Sequence, residues 1–80
     1  MSDRISPAQV RAARAMLDWS MMDLAKAAGV SISTVKRFDD ETAALVTAET
    51  VSLMQDALET QGVRFLADDG NGAGVRCRRR

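Results

Sequence analysis

Residues 24–38 read LAKAAGVSISTVKRF, and no other stretch restricts the fold as much. Two short amphipathic segments flank Gly29, each with a start signal. Ser20-Met21-Met22-Asp23 is a capping pattern whose carboxylate, at the third helical position, also suits the helix dipole. Ser31 can cap the second segment. Leu24, Ala25 and Ala28 form the inner face of a helix over about 21–28, and Val35 and Phe38 that of a helix over about 32–39. Gly29 falls where a left-handed residue ends a helix. The three or four residues between the helices impose a steep corner. Ala25 is then small because the next helix crosses close over it, Gly29 supplies backbone angles denied to other residues, and Val35 is a stiff wedge. On this reading Gly29→Val should unfold the domain or nearly so.

The rest of the chain supplies what such a corner packs against. Ser6-Pro7-Ala8-Gln9 starts a helix over about 7–18, with Ser6 as cap, Pro7 in the first turn and Gln9 completing a capping box. Val10, Ala13 and Leu17 recur on one face, and Trp19 follows as a core plug. Residues 43–46 read as loop. Thr47 caps a fourth helix carrying Val51, Met54 and Leu58, which ends near Gln61 and Gly62. Beyond Gly62 the period falls to two. Val63-Arg64-Phe65-Leu66 and Val75-Arg76-Cys77-Arg78 read as strands around a turn rich in Asp and Gly. Two strands alone are barely stable in water, so a further partner is expected, a symmetric copy being the simplest. The prediction is a mainly α fold of four to five helices with a short C-terminal β-hairpin or strand pair. Residues 1–62 form its helical domain, and residues 63–80 a β extension with a basic tail that serves dimerisation.

Composition narrows function by exclusion. The 80 residues contain no histidine or tyrosine and one cysteine, Cys77. Internal disulfides are excluded, soft metal ligands are wanting, and the commonest acid–base group is absent. An enzyme is not expected, and no cofactor is implied. At 46% hydrophobic and 28% charged the chain reads as a globular protein without a membrane span. MSDRIS has no apolar signal region, so the expected location is the cytoplasm. Net charge is zero but unevenly spread. Residues 1–38 carry +3, residues 39–69 carry −7, and residues 70–80 carry +4.

The stretches LDWS, DLAKAAGVS, STVKRF and TAETVSLMQDALETQGVRF resemble those of the lambda-repressor-like helix-turn-helix regulators, also called the XRE or Cro/cI type. The tail GVRFLADDGNGAGVRCRRR is similar to that of small bacterial members, which add a β element. The resemblance covers residues 6 to about 61 and implies a compact lambda-repressor-like DNA-binding domain. It further implies a homodimer on palindromic double-stranded DNA operators and a role in transcription.

In such proteins the third helix enters the major groove by its N-terminal end. Carried over, the base-contacting candidates are Ile32, Ser33, Thr34 and Arg37, with Thr34 at the margin. Arg37 suits a bidentate contact to guanine, Ser33 can donate or accept, and Ile32 can pack on a thymine methyl. Ser20, Met21, Ser31 and Lys36 are the phosphate candidates, the first three at helix N-termini that favour an anion. Two departures weigh against tight binding. Met21 stands where relatives often have glutamine, and Asp39-Asp40-Glu41 would repel phosphates. The alternative is a protein-binding module on the same fold, capturing another regulator through an apolar patch of Met21, Met22 and Ile32.

Overall fold

The computed structural model describes residues 5–40 and 46–78, in which four helices precede one antiparallel hairpin. They are α1 (Pro7–Leu17), α2 (Met21–Ala28), α3 (Ile32–Asp39), α4 (Ala48–Thr60), β1 (Val63–Leu66) and β2 (Gly74–Cys77). The upper expectation of five helices is not met among the described residues. Residues 43–45 of the expected loop, Glu41, Arg79 and Arg80 lie outside them.

Local chemistry sets the helix ends. Ser6 Oγ accepts from the Gln9 amide at 3.2 Å while Gln9 Oε1 accepts from the Ser6 amide at 2.8 Å, closing the capping box of α1. Ser20 and Asp23 close a second box on α2 at 3.0 and 2.9 Å. Thr47 Oγ1 accepts from the Thr50 amide and caps α4. α1 stops one residue short of the expected end, because Asp18 turns left-handed at φ 60° and its amide reaches back to Ala15. Aspartate is among the few non-glycine residues that visit this region readily.

One core joins all elements. α1 contributes Val10, Ala13 and Leu17; α2 contributes Leu24 and Ala25; α3 contributes Val35 and Phe38; α4 contributes Val51, Met54 and Leu58. Ile5, Val46 and Val63 complete it, and Trp19 is half-buried against it. Val63 belongs to β1, so the segment after residue 62 shares the core of the helices.

The hairpin pairs Val63 with Cys77, Arg64 with Arg76, Phe65 with Val75 and Leu66 with Gly74. Alternation puts Val63, Phe65, Val75 and Cys77 on the side packed against the helices. The strands thus find support within their own chain, on the helices. Gln9, only 8% exposed, donates from Nε2 to the carbonyls of Leu66 (3.2 Å) and Gly74 (3.0 Å) at the turn end of the ladder. One side-chain amide thus caps α1 with its oxygen and ties down the hairpin with its nitrogen.

A second long-range tie fixes α3. Arg11 Nη1 donates to the Asp39 carbonyl at 2.9 Å and lies 3.6 Å from its Oδ1; Arg14 Nη2 lies 3.4 Å from the same oxygen. Arg14 Nη1 also donates to the Trp19 carbonyl at 3.2 Å, so one guanidinium joins α1, the α1–α2 connection and the end of α3. Cations at a helix C-terminus also complement its dipole. The expectation that Asp39 repels phosphates is accordingly corrected: its carboxylate is turned inward onto two arginines, with 17% of the side chain exposed.

Gln9→Glu keeps the acceptor of the capping box, removes the donor and sets a carboxylate against two carbonyls. It should speed amide exchange in β1 and β2 selectively and lower stability by about 2 kcal/mol, measured by hydrogen exchange and urea melts. Asp39→Ala strands Arg14, whose side chain is 15% exposed, and should lower stability by about 2 kcal/mol. For a domain of this size that is a drop in Tm of about 10 °C, read by thermal circular dichroism.

Candidate nucleic-acid interface

Three residues join α2 to α3, with the left-handed glycine and the serine cap at the expected places. Gly29 ends α2 at φ 74°, and the amides of Gly29 and Val30 both reach the Ala25 carbonyl, at 2.9 and 3.0 Å. Ser31 then starts α3, its hydroxyl accepting from the Thr34 amide at 3.1 Å. Ala25 and Val35 are buried at the angle, 3% and 1% exposed. The left-handed backbone angle expected of Gly29 is present. A Cβ at residue 29 would meet no atom within 4 Å, so only the backbone angle resists a side chain. Gly29→Val, expected to unfold the domain or nearly so, would meet this backbone strain and no crowding of its Cβ.

α3 has a locked side and an open side. Val35 and Phe38 are each 1% exposed in the core, whereas Ile32, Ser33, Lys36 and Arg37 are exposed. Ser33 lies three and four positions before Lys36 and Arg37, and Ile32 four before Lys36, so the four share one face. Thr34 is placed differently. It is half-buried, and its hydroxyl lies 2.9 Å from that of Ser31, making it part of the cap.

The two helix N-termini differ in charge. At α2 the Ser20 hydroxyl and amide are both engaged by Asp23. The Ser20 hydrogen bonds, backbone first, hold the Asp23 carboxyl below its ordinary pKa, with Lys26 assisting. A depressed pKa keeps that carboxylate, and the stability it adds, above the ordinary aspartate range, and the contribution fades as pH falls through the lowered value. An anion approaching Ser20 and Met21 therefore meets a negative charge. At α3 no acidic residue occupies the first turn, and Ile32 and Ser33 begin the helix with first-turn amides that lack helical acceptors. With Ser31 as its cap and no carboxylate in its first turn, the start of α3 is the better seat for a phosphate. Met21 is half-buried against the core and Met22 is 45% exposed.

Sequence reasoning counted Arg11 and Arg14 with the basic residues of the N-terminal half; both are drawn to Asp39. Lys26, Lys36 and Arg37 are the cations that α2 and α3 expose. The glycine-rich turn is closed by its own carboxylates. Asp68 Oδ1 accepts from the amides of Gly70 and Gly72, each at 2.9 Å, and these bonds lower its pKa. No protein-family model matches the chain, and no curated protein matches it in sequence. Among the described residues no helix is long and apolar enough to cross a membrane.

If the angle at residue 29 and not space is limiting, Gly29→Ala should cost about 1–2 kcal/mol. Gly29→Asn should cost less, both variants keeping a native far-ultraviolet spectrum. Chemical denaturation of the pair checks this, and a loss above about 4 kcal/mol in Gly29→Ala would reveal a clash.

Proposed function

We propose that this chain is a sequence-specific DNA-binding transcriptional regulator of the lambda-repressor-like helix-turn-helix type, acting as a homodimer on a palindromic operator. The observation that carries the reading is the two-sidedness of α3. Val35 and Phe38 anchor it in the core while Ile32, Ser33, Lys36 and Arg37 stand exposed along one face. A rigid helix with such a face, following a tight corner, suits insertion into a major groove. In that pose Arg37 reads guanine, Ser33 reads a neighbouring base edge and Ile32 packs against a thymine methyl. Lys36 and the amino end of α3 at Ser31 hold phosphates. One such helix reads too few base pairs to mark a genomic site, hence two copies about 34 Å apart.

A second reading is favoured by the pairing of Arg11 and Arg14 with Asp39 and by Asp23 at the start of α2, both of which weaken the field that draws DNA. It takes the same surface, with exposed Met22 and Ile32 (45% and 41%) beside Met21, as a patch for another regulator.

Fluorescence anisotropy against DNA from upstream of the protein's own gene and against scrambled DNA, over a salt series, separates the two. The regulator should bind its site preferentially, with log affinity falling linearly in log salt. Arg37→Ala should lose about 1–3 kcal/mol of discrimination at one position per half-site. Lys36→Ala should weaken all sequences alike and reduce the salt slope by about 1. Equal, weak binding to both DNAs would leave the partner-capture reading.

A further inference from the structure

The hairpin's outer face is more basic than a strand pair tolerates. Arg64 stands directly across from Arg76, and the Arg78 amide donates to the Gly62 carbonyl at 3.0 Å, so the ladder runs on and Arg78 joins the same face. Like charges directly opposite on antiparallel strands are destabilising. All three arginines are exposed, and none forms an ion pair among the described residues.

The preceding helix carries the opposite misfit. α4 has no basic residue, while Glu49, Asp56 and Glu59 are all exposed on it. Glu59 occupies the last turn, the negative end of the helix dipole, where a cation would be stabilising. Leu53, 44% exposed, lies four positions after Glu49 and three before Asp56, adding an apolar contact to the acidic stripe. The two halves adjoin, since Glu59, Arg64 and Arg78 line one surface depression floored by Gly62, Val63 and Phe65.

We infer that the hairpin's outer face and the exposed face of α4 form one self-complementary surface that binds a second copy of this chain, the arginines of each copy resting on the carboxylates of the other. A patch with adjoining positive and negative halves meets its own copy in register under a two-fold rotation. A polyanion fits less well, because its phosphates would meet Glu59 in the same depression as the arginines. This surface supplies the contact for the dimer on which the proposed function relies. Its main readout is self-association measured without DNA, so a failure of this interface is distinguishable from a failure of DNA recognition.

Sedimentation equilibrium of the full chain, across protein concentrations and from low to high salt, provides the measurement. The expected result is a dimer that weakens as salt rises. Arg64→Glu with Arg76→Glu, and separately Asp56→Arg with Glu59→Arg, should each raise the dimer Kd at least tenfold, with native circular dichroism. Mixing the two variants in equal amounts should restore the dimer, because each reversed patch then meets its complement. Arg64→Gln with Arg76→Gln serves in place of the glutamate pair if that chain does not fold, and should also raise the Kd. A wild-type chain that stays monomeric, variants that dimerise as well as wild type, or a mixture that stays monomeric would overturn the inference. So would arginine variants that lose DNA binding while self-association is unchanged, which would make this a nucleic-acid surface.

Discussion

The way α3 faces outward depends on one carboxylate. Val35 and Phe38 seat the helix in the core, but apolar contacts are not directional and leave its rotation and slide loosely defined. Asp39 adds the direction. It draws Arg11 and Arg14 from α1 onto the end of α3, and Arg14 continues to the Trp19 carbonyl in the link between α1 and α2. Three segments thereby share one polar knot on the side of α3 away from the corner at Gly29. The helix is pinned at both ends, a condition for any face that must meet a rigid partner with several side chains at once.

The same knot changes how the charge pattern is to be understood. Counted along the chain, the N-terminal half is basic and the next segment acidic. In three dimensions part of that asymmetry is spent internally, since Asp39 from the acidic segment meets two arginines from the basic one. What reaches the surface of α2 and α3 is sparser, and Asp23 lies among it. A nucleic-acid partner of so lightly charged a surface would be held by a few well-placed contacts more than by a broad field, with a correspondingly shallow dependence on salt.

The helices were legible because their signals are local. Ser6 with Gln9, Ser20 with Asp23, and Ser31 with Thr34 are pairs three residues apart, and Gly29 announces its turn by being glycine. The outer face of α3 followed from the helical period once Val35 and Phe38 were assigned inward. What sequence reasoning missed lies in pairings that no local rule encodes. Arg14 and Asp39 are 25 residues apart, and Gln9 meets Leu66 and Gly74 across 57 and 65 residues. Gln9 was recognised as a cap, and nothing in its neighbourhood revealed that its amide nitrogen would also hold a hairpin. The opposed arginines were equally hidden, because only the register shows that Arg64 faces Arg76. Thr34, a base-contact candidate by position, has its hydroxyl 2.9 Å from that of Ser31, a pairing local to the cap.

The hairpin turn has a consequence of its own. Asp68 gathers the amides of Gly70 and Gly72, and Asp69 accepts that of Asn71, so the loop closes upon itself, exposed, without borrowing atoms from the core. A self-contained cap of this kind separates the apex from the scaffold. Lengthening the chain between Asn71 and Ala73 adds only a slowly growing closure entropy, which makes the apex a natural place to graft an epitope or a fluorophore while the helices keep their arrangement.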